Sequence, residues 1–254
     1  MFPNFDLNAY ITKHIYNSHE WHIPFWGPIP LPGILTLHAL MMLIGTSIVL
    51  ILFLVLYRKE DRVPTGITNC LEMLVVYIRD EIAIPNMGEK DGLSFTPMLC
   101  TFFFFILILN LLGLIPLFAP ATSNVNVTGP LAYLIFILMV IGTLIRGGLQ
   151  GMWHALIPSS LPKIMIPYFL IVEPFIVLVR SVVLAIRLFA NMMAGHMVIS
   201  SFLGLFILFG WVALPALVMA VFIYALELFV AFLQAYIFIL LSAIFIGQMY
   251  HPEH

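Results

Sequence analysis

Residues 164–246 form an almost unbroken apolar run, whose only plausible break is Gly210-Trp211 with Pro215 just beyond. A hydrocarbon core of about 30 Å takes roughly 20 apolar residues per helical crossing. Folded at that break, the run makes two helices of about 35 residues, or about 50 Å each. Helices that long must be strongly tilted, here as an antiparallel hairpin. The rest of the chain agrees. Its 254 residues are 63% apolar and only 9% charged, whereas a soluble domain carries roughly a quarter charged residues. The near balance of 10 Lys plus Arg against 12 Asp plus Glu argues against nucleic acid as a partner and leaves the lipid bilayer as the main solvent.

Three further crossings are expected over residues 35–56, 97–118 and 131–145. The fold class is therefore all-α integral membrane, with about five spanning helices in a single membrane domain over 1–254. Between the first two crossings, Pro64 suits a helix start. Ile67, Leu71, Leu74, Val75, Ile78 and Ile82 follow at helical spacing, with Asn69, Glu72, Arg79 and Asp80 largely between them. That pattern predicts one amphipathic surface helix over 64–83. Residues 86–92 read as a turn, and 146–163 as a polar connection. Basic residues collect in the connections that five crossings place on one side, which puts the N-terminal segment 1–34 outside and the C-terminus inside. That segment lacks the basic start and short apolar core of a signal peptide. His14, His19, Glu20 and His22 read as a solvated tail rather than a metal site, Cys70 and Cys100 as free thiols, and no cofactor motif is present.

Four charges sit where lipid should be: Glu173, Arg180, Arg187 and Glu227. A charge at the bilayer centre costs at least ~2.5–3.5 kcal/mol, so each needs a reason. Helix-locking ion pairs or snorkelling would serve for Arg180, whereas Arg187 is poorly placed to snorkel. At 100° per residue, Glu173, Arg180 and Arg187 lie on one stripe, extended by Asn191, and His196 points to the opposite face. Glu227 and Gln234 share a face of the last helix. Folding about Gly210-Trp211 brings Arg187 level with Gln234, and His196 level with Glu227. The second layer lies about 10–13 Å nearer the outer surface, with Glu173 on the other side. Titratable groups thus flank one fixed cation on both sides, as two half-channels require.

Residues Arg187-Leu188-Phe189-Ala190-Asn191-Met192-Met193-Ala194-Gly195-His196 closely resemble the RLFxNxxAGx signature of the ATP synthase subunit a family. Glu227 with Gln234-Ala235-Tyr236-Ile237-Phe238 resembles that family's final helix. Asn110-Leu111-Leu112-Gly113-Leu114-Ile115-Pro116 and Asn124-Val125-Asn126-Val127-Thr128 look like its second-crossing and outer-loop motifs. The resemblance covers about residues 99–248.

The resemblance implies a proton-translocating subunit of an F-type ATP synthase, not an enzyme by itself, with residues 164–248 as a channel-forming helix pair. Arg187 would be the essential cation facing the carboxylates of the c-ring, with Asn191 and Gln234 as polar neighbours. His196 and Glu227 would belong to the outer half-channel, and Glu173 would be the inner-side carboxylate. Implied partners are the c-ring subunits, the peripheral-stalk b subunits and the remaining ATP synthase subunits. The His-first order resembles alphaproteobacterial and mitochondrial members, so the membrane would be a bacterial inner membrane or its mitochondrial counterpart. Asn124 stands where some members carry a carboxylate. From the residues alone, a secondary ion antiporter using Glu227 and His196 remains open, as does a non-conducting membrane assembly subunit.

Overall fold

The protein is described by a computed structural model over residues 20–23, 27–33, 36–56, 66–115, 118–157 and 162–251. His14, His19, Arg58-Lys59-Glu60-Asp61-Arg62, Pro64, Pro116 and Pro252-Glu253-His254 lie outside the described residues. Helix α1 spans Leu37–Ile51 and widens into a π-helical turn at Leu52–Leu56. Helix α2 (Ile67–Tyr77) runs on through π-helical Ile78–Ala83 and a last turn, Ile84–Met87. Four long helices follow: α3 (Glu89–Leu114), α4 (Val125–Leu156), α5 (Ile166–Phe209) and α6 (Leu214–Tyr250). Among the described residues five helices, all but α2, are long and apolar enough to cross a membrane. The chain is a multi-pass membrane protein of the all-α class.

The break between α5 and α6 falls at Gly210–Ala213, where Gly210 takes a φ of 60° that a β-carbon would strain. At 44 residues α5 is longer than the sequence pattern suggests, whereas α6, at 37, agrees with it. Two expectations need correction. Residues 86–92 are not a turn: only Gly88 (φ 78°) interrupts the chain, and Glu89 and Asp91 already form the first turn of α3. Residues 146–163 are not a polar connection throughout, because α4 continues to Leu156 past a kink at Gly148. Asp91 in the first turn of α3 is buried and paired with Arg146 within α4, so both charges sit in regular structure rather than in loops. The structure also adds a small element. Glu20–Ile23 (β1) and Gly27–Pro30 (β2) pair as an antiparallel hairpin, Trp21 opposite Ile29. Pro28 and Pro30 donate no ladder bond, which suits β2 to an edge.

The chain gathers into two compact units, one comprising Met1–Leu50, Phe105–Thr128 and Arg187–Ala235, the other Ile51–Phe104, Gly129–Ile186 and Tyr236–His254. The first has a core of Leu37, Met41, Leu109, Ala119, Ala121 and Val127. Gly45 admits α3 so closely that a β-carbon would lie 2.7 Å from Leu109 Cδ2. The second unit packs Phe102 against Phe238 with ring centres 5.8 Å apart, over buried Ile78, Ile82, Leu99, Ile135 and Met139. In α2, half of the predicted stripe, Leu71, Ile78 and Ile82, is therefore buried within the protein. On its polar side, Arg79 donates to Asp80 at 2.7 and 3.0 Å, and this bonding holds the Asp80 carboxyl below the usual carboxylate range.

Candidate functional site

Helix α5 is continuous from Ile166 to Phe209, so the stripe of Glu173, Arg180, Arg187 and Asn191 stays in phase, and all four residues are half-buried. The two arginines differ in their surroundings. In the second unit Arg180 Nη1 donates to Gln248 Oε1 at 2.9 Å, and its guanidinium lies 5.5 Å from the centre of the Phe245 ring. It is tied to α6, as a helix-locking residue should be. Arg187, in the first unit, has no hydrogen bond or ion pair among the described residues, and neither have Asn191 and Glu173. Gln234 is buried with Nε2 unpartnered, and it makes no hydrogen bond to Arg187.

His196 and Glu227 do meet. His196 Nδ1 lies 3.0 Å from Glu227 Oε1, and its Nε2 lies 2.8 Å from the carbonyl oxygen of Gly113 on α3. The Glu227 side chain is 6% exposed, and its second oxygen, Oε2, has no partner among the described residues. Two glycines make this possible. A β-carbon on Gly195 would lie 2.6 Å from Glu227 Cδ, inside van der Waals contact, and one on Gly113 would come within 3.1 Å of Pro120 Cα. Gly195→Ala should therefore cost about 1–3 kcal/mol through overpacking and part Glu227 from His196. A lowered thermal midpoint of the purified protein in nanodiscs would register it, and an unchanged midpoint would refute it.

Beside the pair lies a cavity of ≈ 260 Å³, lined by Leu114, Phe118, Pro120, His196, Ile199, Ser200, Leu203, Leu217, Ala220, Val221, Tyr224 and Glu227. Its residues from α5 and α6 all lie between the pair and the Gly210 turn, so it opens from the pair toward that turn. Its wall is mainly apolar, but the Ser200 and Tyr224 hydroxyls join the pair as polar partners, enough to hold water. Nearby, Asn110 is buried, accepts from Thr122 Oγ1 at 2.9 Å and donates to the Ala231 carbonyl at 3.4 Å. The second unit has its own cavity, ≈ 590 Å³, lined by Pro85, Asn86, Met87, Gly88, Ile244, Gly247, Gln248 and His251.

Sequence reasoning named Arg187, Asn191, His196, Glu227, Gln234 and Glu173. It missed the Gly113 carbonyl, the space left by Gly195, and the Asp91–Arg146–His251 cluster. A backbone oxygen carries no signature in side-chain spacing, and the cluster joins residues 55 and 160 positions apart.

A buried carboxylate–imidazole pair joining two long apolar helices, with an arginine on one of them that has no ion-pair partner among the described residues, defines a polytopic membrane protein with titratable groups on its apolar helices. Residues 39–247 match the family model of the ATP synthase A chain. ATP synthase subunit a of Anaeromyxobacter dehalogenans (strain 2CP-C) is 45% identical over 217 residues, covering 84% of this chain and 57% of the relative. The proteins of the same name from Chloroherpeton thalassium and Myxococcus xanthus are 40% and 37% identical, each over 95% of this chain and over 77% and 88% of their own lengths. Against the Anaeromyxobacter relatives this chain spans little more than half their length, 54% to 57%. The chain belongs to the ATP synthase A chain family.

Proposed function

We propose that this chain is the proton-translocating subunit of an F-type ATP synthase in a bacterial inner membrane. It works through two offset half-channels against a rotating c-ring, and peripheral-stalk b subunits hold it static. The observation that carries this reading is Arg187: a permanent cation in an apolar helix, without a counter-charge among the described residues. Such a charge is too costly to leave alone in lipid. A carboxylate supplied by a neighbouring protein answers it.

The mechanism follows from charge. A ring carboxylate must be neutral in lipid, because an isolated buried charge is prohibitively expensive. Beside Arg187 the ionised form is favoured, by about 1–3 units of pKa, so the arriving acid releases its proton toward the inner side, past Glu173. The carboxylate then passes Arg187 and takes up a proton delivered from the Glu227–His196 pair. A membrane potential of about 150 mV supplies about 3.5 kcal/mol per proton, ample to bias each step. The two cavities share no lining residue: the first meets α6 at residues 217–227, the second at residues 244–248 and at His251 just beyond it. An antiporter would carry helices broken at mid-membrane, whereas α5 and α6 run unbroken on either side of the Gly210 turn.

A density map of the assembled complex tests the reading. The Arg187 guanidinium should face a carboxylate-bearing helix of a ring of hairpins. Arg187 against lipid alone would sink it.

A further inference from the structure

The cavity beside Glu227 has the dimensions of a ligand site as well as of an access path. It measures ≈ 260 Å³, and an apolar cavity of about 150 Å³ already admits a benzene ring. Leu114, Leu203, Leu217, Ala220 and Val221 give it an apolar wall. One group in that wall is unsatisfied. Glu227 Oε1 is held by His196 at 3.0 Å, whereas Oε2 is buried without a partner among the described residues. A buried acceptor left bare loses its hydration and regains nothing. Oε2 is the oxygen left for whatever fills the space.

These two properties select the chemistry of an occupant. An anion would be repelled by the carboxylate, and a hydrocarbon without a donor would leave Oε2 bare. A compact apolar body carrying one ammonium group meets both demands. Its ring lies against the wall, one N–H is donated to Oε2, and the Ser200 and Tyr224 hydroxyls can accept the others. The mouth selects in the same direction. The cavity opens toward the Gly210 turn, where Phe209, Trp211 and Val212 are exposed, so a ligand dissolved at the membrane surface meets an apolar rim. We propose that this cavity binds compact lipophilic amines through an N–H donated to Glu227 Oε2, and that a bound amine closes the outer access path. The binding stands apart from the channel reading above; the closure rests on it.

The test uses 1-adamantylamine and 1-methyladamantane, which share one shape and differ in the donor. Binding of each, radiolabelled, to the assembled complex in nanodiscs is measured after subtracting uptake by empty nanodiscs. The amine should bind about 10–100-fold more tightly, the worth of a hydrogen bond to a charged group. Glu227→Gln should cut that preference by about tenfold, because a neutral amide is the weaker acceptor. Ala220→Leu, which fills the cavity, should weaken both ligands by about tenfold. A diazirine derivative of the amine should label residues 199–203 or 217–224 of the unsubstituted chain, which places the site even where a variant fails to fold. Equal binding of the two ligands, a preference unchanged in Glu227→Gln, or labelling confined to lipid and other chains would overturn the site. Passive proton flux should fall toward background at saturating amine. Full flux with the amine bound would leave the site standing and overturn the reading of this cavity as the outer access path.

Discussion

Arg187→Lys is expected to abolish coupled ATP synthesis while leaving the complex assembled. Charge and approximate length are kept, so a purely electrostatic anchor would tolerate the change. The proposed role would not. Arginine is never neutral at physiological pH, and its planar fork can hold a passing carboxylate through two parallel bonds. Lysine is a compact ammonium that gives up its proton readily when buried, with shifts of up to 3–5 units on record for buried sites. Residue 187 is half-buried on α5 and has no partner among the described residues to keep an ammonium charged once a ring carboxylate has moved on. A neutral amine there removes the barrier between the two access paths, so protons leak without turning the ring. ATP synthesis in inverted vesicles should fall to background, and ATP hydrolysis by the catalytic head should persist uncoupled from proton pumping. Near-normal synthesis with lysine would contradict the assignment. Arg180→Lys offers a contrast within the same helix. Arg180 already has Gln248 and Phe245, so the change should weaken packing and spare most coupling.

How much of this was legible in the sequence depends on the range of the interaction. The bend at Gly210 and the meeting of His196 with Glu227 follow from counting along two apolar helices, and the structure brings that pair to 3.0 Å. Helical phase is a local property, so it survives without tertiary information. The ends of α3 and α4 were misjudged because Glu89, Lys90, Asp91 and Arg146 carry loop-like polarity, and only a pairing across 55 residues makes them helical. The α2 stripe was legible as amphipathic, but not what it packs against: Ile78 and Ile82 are buried within the protein. Gly113 and Gly195 were quoted as motif letters. Their reason, a carbonyl aimed at an imidazole and room for a carboxylate, needs coordinates. The functional roles of Arg187, Asn191, Gln234 and Glu173 stand as proposals, since they concern groups that a neighbouring chain would bring.

The second large effect is expected at the Asp91 cluster, and the two sides of the ion pair should not be equivalent. The Asp91 side chain is 6% exposed and pairs with Arg146 and, at 2.8 Å, with His251 Nε2, whereas Arg146 is 42% exposed. The Arg146 guanidinium sits 4.4 Å from the Tyr250 ring centre, and the Tyr250 hydroxyl donates to the Leu138 carbonyl at 2.9 Å. Gly142 leaves space for that ring, since a β-carbon would stand 2.5 Å from Tyr250 Cζ. The start of α3, the middle of α4 and the end of α6 are thus fastened together. Removing Asp91 leaves a cation that can turn to water and keep its place over Tyr250. The expected cost of Asp91→Ala is about 1.5–3 kcal/mol, that of hydrogen bonds to a charged group. Arg146→Ala leaves a buried carboxylate whose remaining partner, His251, is charged only when protonated. That stranding should cost about 3–5 kcal/mol. Because the stranded group is an acid, lowering the pH should restore stability in Arg146→Ala by neutralising Asp91, and should do little for Asp91→Ala. Thermal midpoints of both variants in nanodiscs, measured at two pH values, decide the matter. Equal losses, or a greater loss in Asp91→Ala, would mean that the buried carboxylate is not what makes this junction costly to break.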